Sequence, residues 1–215
     1  MDELGGRYYQ KRRASILPAR GGGNVASEAE ILLAEQADDM SIVMRAPDVT
    51  LRPYAVADAP DICQAVHESL NELMPWMPWC HPDYSLHDSR TWLENQVKAF
   101  HAGTAFEFAI VSTDGRYLGG CGVNDIGQAN RRGNIGYWVR TSEARRGVAT
   151  AAVRLAYQWA MENTNLIRLE ILIAVGNTAS QRVAEKVGAV REGVLRKRLV
   201  LHDEAHDAVM FSLVR

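Results

Sequence analysis

The alternation of apolar and polar positions divides this chain in two. From Val49 onward it is regular, and before Val49 no period persists. "VTLRPY" alternates with period two and predicts a first strand. In "ADAPDICQAVHESLNELM" the residues Ile62, Val66 and Leu70 recur at helical spacing behind capping aspartates, which predicts one helix. "LHDSRTWLENQVKAFHAG" predicts a second helix, with Asp88 or Ser89 near its cap and Gly103 at its end. Between them lies "PWMPWCHPDY", a loop of prolines and aromatics. In "AFEFAIV" Phe106, Phe108 and Ile110 alternate with Glu107 and Ala109, again a strand. The turn "TDGR" leads to "YLGGCGVNDI", and "NRRGN" leads to "IGYWVR", completing a meander of strands.

After the meander a helix runs to about Asn163, followed by the strand "IRLEILIAV". "NTASQRVAEKVG" is a short helix closed by Gly188. Two last strands flank an acidic turn at His202–Ala205. The strand–helix–strand unit requires a parallel pair, and the meander requires antiparallel neighbours. The expected class is α/β (α+β): a mixed, mostly antiparallel central sheet of about seven strands with helices on both faces. Residues 49–215 form this domain. Residues 1–48 are expected to be a flexible arm, basic and then glycine-rich, with a possible short helix in "SEAEILLAEQADDM".

Composition narrows the function. Hydrophobic residues make up 47% and charged residues 23%, ordinary for a globular chain. The net charge of -2 provides no basic field for nucleic acid, so any anion binding is local. Three dispersed cysteines without a Cys-x-x-Cys pair argue against a disulfide framework and against a zinc site. Cys63 and Cys121 stand in apolar surroundings, where buried free thiols are expected. The acidic start is unlike a signal peptide, and no run is long enough to cross a membrane. A cytoplasmic protein, monomeric or homodimeric, is the expectation.

The stretch "SEARRGVATAAVR" carries the candidate chemistry. A helix starts near Gly147, and its first N–H groups have no partner within the helix. They suit an anion. Gly147 allows an unusual backbone and close approach, Ala149 leaves room, Thr150 adds a hydroxyl, and Arg145 and Arg146 add charge. A lone glycine at a helix start also has a purely structural reading. The lysine of a triphosphate-binding loop and the three glycines of a dinucleotide loop are missing.

The segment resembles the acetyl-CoA pyrophosphate loop of the GNAT superfamily of N-acetyltransferases, [Gln/Arg]-x-x-Gly-x-[Gly/Ala], here Ala144-Arg145-Arg146-Gly147-Val148-Ala149. Ala144 departs from the polar first position. "GVNDI", "IGYWVR", "NTASQRVAEKVGAVREGVLRK" and "HDAVMFSL" resemble the RimJ/RimL branch, so the likeness spans about residues 49 to 215.

The resemblance implies acetyl-CoA as co-substrate and a primary amine as acceptor, either a protein N-terminus or a small molecule, attacking directly in a ternary complex. It implies cofactor contacts from Trp138, Val139, Arg145, Arg146, Gly147, Val148, Ala149, Thr150, Asn177 and Ser180, with an oxyanion contact near the Val139 N–H. The position of the family's tyrosine acid is Ala184, which leaves Ser180 or a water to meet the departing thiolate. Asn177 is also a good helix cap. Glu107 is the candidate base if its face looks into the acceptor cleft, and otherwise a residue on a solvated face. No metal is implied. The alternative is a non-catalytic acyl-CoA-binding module.

Overall fold

The computed structural model describes residues 42–215. The expected arm and short helix before residue 42 lie outside the described residues. Within residues 42–215, eight strands form one sheet in the order β1-β2-β3-β4-β5-β6-β8-β7. They are β1 (Met44–Ala46), β2 (Val49–Pro53), β3 (Phe106–Val111), β4 (Tyr117–Gly127), β5 (Arg132–Val139), β6 (Arg168–Ala174), β7 (Val190–Leu201) and β8 (Glu204–Val214). The helices are α1 (Ala59–Glu68), α2 (Leu70–Leu73), α3 (Leu86–Ala102), α4 (Val148–Asn163) and α5 (Thr178–Lys186). Every ladder is antiparallel except β5 with β6.

The sheet has one strand more than expected. Met44–Ala46, assigned from sequence to the arm, pairs with Val49–Leu51 of β2. A three-residue strand is too short to show a period. The single helix expected over "ADAPDICQAVHESLNELM" is broken at Ser69, which leaves helical geometry with φ -115° and ψ 11°. The cap of α3 is Ser85, upstream of the expected Asp88 or Ser89. Ser85 and Asp88 form a reciprocal capping box, the Ser85 N–H donating to Asp88 Oδ2 at 2.8 Å. Gly103 ends α3 in the left-handed region, φ 69°, as expected. Cys80 and Cys121 are buried thiols, whereas Cys63 is only half-buried.

The period-two pattern of β3 explains the layers. Phe106, Phe108 and Ile110 face a core that α4 closes with Val148, Val153 and Trp159. Ala109 and Val111 face a second core, where Ile62 and Val66 of α1 and Leu93 of α3 pack on Tyr54 and Tyr117. Glu107 alternates onto this second side.

The parallel ladder positions the site. It joins Arg132, Gly133 and Asn134 to Arg168, Leu169 and Glu170, and then stops. Beyond it, Ile135–Val139 remain paired to β4 and Ile171–Ala174 to β8, but not to each other. The sheet is therefore split between β5 and β6, with two strand edges facing the opening.

Candidate active site

A cavity of about 980 Å³ occupies this split and runs under α3. Glu107, Asn124, Tyr137, Trp138, Asn177 and Ser180 all line it. Of the residues singled out from sequence, it brings together Glu107, Trp138, Asn177 and Ser180. Val139 and the stretch Arg145–Thr150 are not part of its lining. Val139 ends β5, and Arg145–Thr150 form a separate platform at the start of α4.

That platform has the geometry an anion needs. Gly147 is the N-cap of α4 at φ 84°, and no side chain caps the helix. Among the described residues, the N–H groups of its first turn therefore have no protein partner and face outward. A Cβ on Gly147 would meet nothing within 4 Å, so backbone conformation rather than crowding requires glycine here. Val148 turns its side chain into the core and offers only its backbone. Arg145, also left-handed at φ 64°, is exposed, and among the described residues its side chain has no partner. Arg146 is tied to the buried Glu143 at 3.0 Å, and Glu143 also accepts from Arg116. Of the two arginines, Arg145 is thus the freer to meet a phosphate. These features fit the diphosphate of acetyl-CoA.

The segment leading to the platform is clamped to α1. Buried Arg140 donates to Glu68 through Nε at 3.0 Å and also through Nη2, and to the Tyr117 carbonyl at 3.1 Å. Glu68 further accepts the Ser142 N–H at 2.9 Å, and Ser69 Oγ accepts the Thr141 N–H at 3.0 Å. The break between α1 and α2 presents Ser69 to this loop. Arg140 holds the Glu68 carboxyl down to about 2.

At the other edge of the split, Asn177 caps α5: its Oδ1 accepts the Ser180 N–H at 3.0 Å. The capping role anticipated from sequence is real, and it places Ser180 at the cavity wall. Ser180 Oγ lies 2.9 Å from the phenol of Tyr137, which also donates to the Ser180 carbonyl at 3.0 Å. Burial raises the Tyr137 pKa to about 12. Sequence reasoning alone does not single out Tyr137, although the alternation of its strand carries a signal. In "IGYWV" the tyrosine and tryptophan must point to opposite faces. Trp138 turns the other way, against Trp79 and Tyr117, with ring centroids 5.9 Å apart in each case. Its side chain therefore lines the cavity from the face of the sheet that carries α1 and α3, while its backbone pairs with Gly120 of β4.

Glu107 is half-buried on the cavity floor rather than on a solvated face. Its Oε1 accepts from Asn124 Nδ2 at 2.9 Å, and Asn124 Oδ1 accepts from Asn134 Nδ2 at 2.9 Å. Desolvation raises its pKa, against the lowering effect of the Asn124 bond. The glycines of "YLGGCG" make this arrangement possible. A Cβ on Gly122 would stand 2.1 Å from Glu107 Oε2, and one on Gly120 would stand 2.4 Å from the Tyr54 hydroxyl. Trp76, Trp79 and Tyr84 of the proline-rich loop line the outer cavity with Trp92. Trp76 packs so near Gly176 that a Cβ there would meet its ring at 3.2 Å.

Residues 48–190 match the acetyltransferase (GNAT) domain family. YdaF of Bacillus subtilis (strain 168) is 28% identical over 167 residues, covering 78% of this chain and 91% of its own. The ribosomal-protein-serine acetyltransferase of Escherichia coli (strain K12) is 25% identical over 167 residues, covering 77% and 93%. Among solved structures, the microcin C7 self-immunity acetyltransferase MccE, in complex with acetyl-CoA and AMP, has a similar fold. Its TM-score is 0.75 at 24% identity, over 79% of this chain and 94% of that one. The RimL ribosomal L7/L12 alpha-N-protein acetyltransferase in complex with coenzyme A also has a TM-score of 0.75, at 21% identity, over 80% and 98%.

Proposed function

Because the chain belongs to the GNAT acetyltransferase family and moves acetyl from acetyl-CoA to an amine, we propose that its acceptor is the N-terminal amine of a protein, attacking in a ternary complex. The observation that carries the catalytic part is the meeting of Glu107 and Ser180 in one cavity at the split of the sheet. The name of the E. coli relative, a ribosomal-protein-serine acetyltransferase, supports a protein acceptor and makes a peptide with a free N-terminal serine the first one to test.

Acetyl-CoA supplies the acetyl thioester, and the chain supplies position and electrostatics. The first turn of α4 with Arg145 holds the diphosphate. The unpaired edges of β5 and β6 take the pantetheine arm as an extra strand would be taken. Trp138 contributes its ring to the cavity wall, and the Val139 N–H, on the edge that β4 leaves free, meets the carbonyl oxygen as charge develops. Holding both reactants in one cavity removes the entropic cost of their encounter. Glu107, desolvated but open to the cavity, takes the amine's proton directly or through water. Ser180 donates to the departing sulfur, and Asn177 fixes Ser180 at the helix start.

The test is a thiol-release assay with acetyl-CoA against the serine peptide and a panel of small amines, run beside Ser180→Ala. Release with the peptide, reduced in the variant, is expected. Release only with small amines would move the acceptor to that class. No release with any amine, despite bound acetyl-CoA, would return the non-catalytic alternative.

A further inference from the structure

The hydroxyl of Ser180 has a dedicated partner. The Tyr137 phenol lies 2.9 Å from Ser180 Oγ and 3.0 Å from the Ser180 carbonyl. A phenol has one proton to donate, and a carbonyl only accepts. With the phenol proton on the carbonyl, the Ser180 proton is directed at the Tyr137 oxygen. When the phenol proton turns to Oγ instead, the Ser180 proton is released to point into the cavity. The two acceptors are nearly equidistant, so the exchange needs only an O–H rotation. The two hydroxyls come from opposite edges of the split. Tyr137 stands on the part of β5 that β6 leaves unpaired, and Ser180 on the first turn of α5. Ala184, where the family resemblance implies a tyrosine, is fully buried in the core. The phenol that reaches this end of the cavity comes from the strand.

We propose that Tyr137 is a positioning residue for acetyl transfer: its phenol directs the Ser180 hydroxyl and, by donating to Ser180 Oγ, strengthens that hydroxyl as a donor to the departing sulfur. The inference rests on the role given to Ser180 above. In the step itself the amine nitrogen bonds the acetyl carbon and the C–S bond breaks. Sulfur keeps the electron pair, and the amine's proton goes to Glu107 or water. Ser180 and Tyr137 keep their protons throughout and contribute hydrogen bonds. Burial helps, because the phenol stays protonated across the neutral range.

The experiment compares wild type, Tyr137→Phe, Ser180→Ala and the double variant in thiol release with acetyl-CoA and the N-terminal serine peptide. Tyr137→Phe should lower kcat about five- to tenfold, the worth of one neutral hydrogen bond, with little change in the KM for acetyl-CoA. In the Ser180→Ala background it should add almost nothing. A second variant carries 3,5-difluorotyrosine at position 137, which keeps the ring and hydroxyl but loses its proton at lower pH. It should show an alkaline fall in kcat that wild type lacks over the same range, because a phenolate draws the Ser180 proton to itself. A purely structural tyrosine would produce neither the coupling nor the alkaline fall. Wild-type kcat in Tyr137→Phe, losses that multiply in the double variant, or an unchanged pH profile would each overturn the proposal. If Ser180→Ala keeps full kcat, the role of Ser180 falls and this inference with it. If Ser180→Ala is impaired and Tyr137→Phe is not, only this inference falls.

Discussion

Replacing Glu68 by glutamine tests whether the clamp under the phosphate platform is electrostatic. Glu68 ends α1 and accepts from Arg140 and from the Ser142 N–H, while Arg140 itself is only 8% exposed. The Arg140 guanidinium lowers the Glu68 pKa from 4.5 to about 2. At about 1.4 kcal/mol per pK unit this is about 3 kcal/mol at face value. The Glu68 side chain is 31% exposed, and solvent screening reduces the figure to about 1–2 kcal/mol. The sign follows from the depressed pKa. The stabilisation is complete above 4.5 and is lost as pH falls toward about 2. Urea denaturation of wild type and Glu68→Gln should therefore differ by about 1–2 kcal/mol near neutral pH, and the gap should narrow steadily below about pH 5. The loop from Arg140 to Glu143 leads directly to the platform, so the KM for acetyl-CoA should rise more than kcat falls. A gap independent of pH, or a variant with both stability and KM unchanged at neutral pH, would refute the electrostatic clamp.

Three further substitutions separate the parts of the site. Glu107→Gln should lower kcat about a hundredfold and remove the acid limb of kcat/KM, as expected for loss of a base. Its stability near neutral pH should not fall. Burial raises the Glu107 pKa, so what the carboxyl contributes to stability is present at low pH and lost as pH rises through its folded value. Gly122→Ala should cost about 1–3 kcal/mol by thermal or urea unfolding and should also lower kcat, because the new Cβ overlaps the Glu107 carboxylate and crowds its Cα at 2.7 Å. Gly147→Ala meets no atom but strains a left-handed residue by about 1–2 kcal/mol, so it should raise the KM for acetyl-CoA and leave kcat nearly unchanged.

Long periodic segments carried the fold into view. Phe106, Phe108 and Ile110 against Ala109 and Val111 state the two-sided burial of β3 directly, and Ile62 and Val66 do the same for α1. Features set by contacts distant in sequence were not legible. Ser69 breaks a helix whose apolar spacing continues through Leu70, and its hydroxyl accepts the N–H of Thr141 from a segment distant in sequence. Ser85 does not stand out in the sequence because Asp88 and Ser89 offer the same capping chemistry three and four positions on, and only the bonded pair decides between them. Arg145 and Arg146 are indistinguishable in sequence. Glu143, which neutralises Arg146, is what separates them. The sequence leaves the role of Glu107 open for a similar reason: alternation gives its side of the sheet, but only the packed helices show that this side is a cavity.

The position of Tyr137 follows from the same feature that opens the sheet. In a fully paired parallel ladder, every residue of β5 would have β6 beside it. Here the ladder ends at Asn134 and Glu170, so β5 and β6 separate where Tyr137 begins to matter. The separation leaves backbone N–H and C=O groups without strand partners, which is costly unless water or a ligand satisfies them. At the same split the first turn of α5 lies close enough to β5 for the Tyr137 phenol to bond Ser180. On the proposed reading, binding of an extended amide-bearing arm and alignment of a hydroxyl at its end both use one interruption in hydrogen bonding. Closing that gap would satisfy the strands and remove the edge that the proposed arm needs.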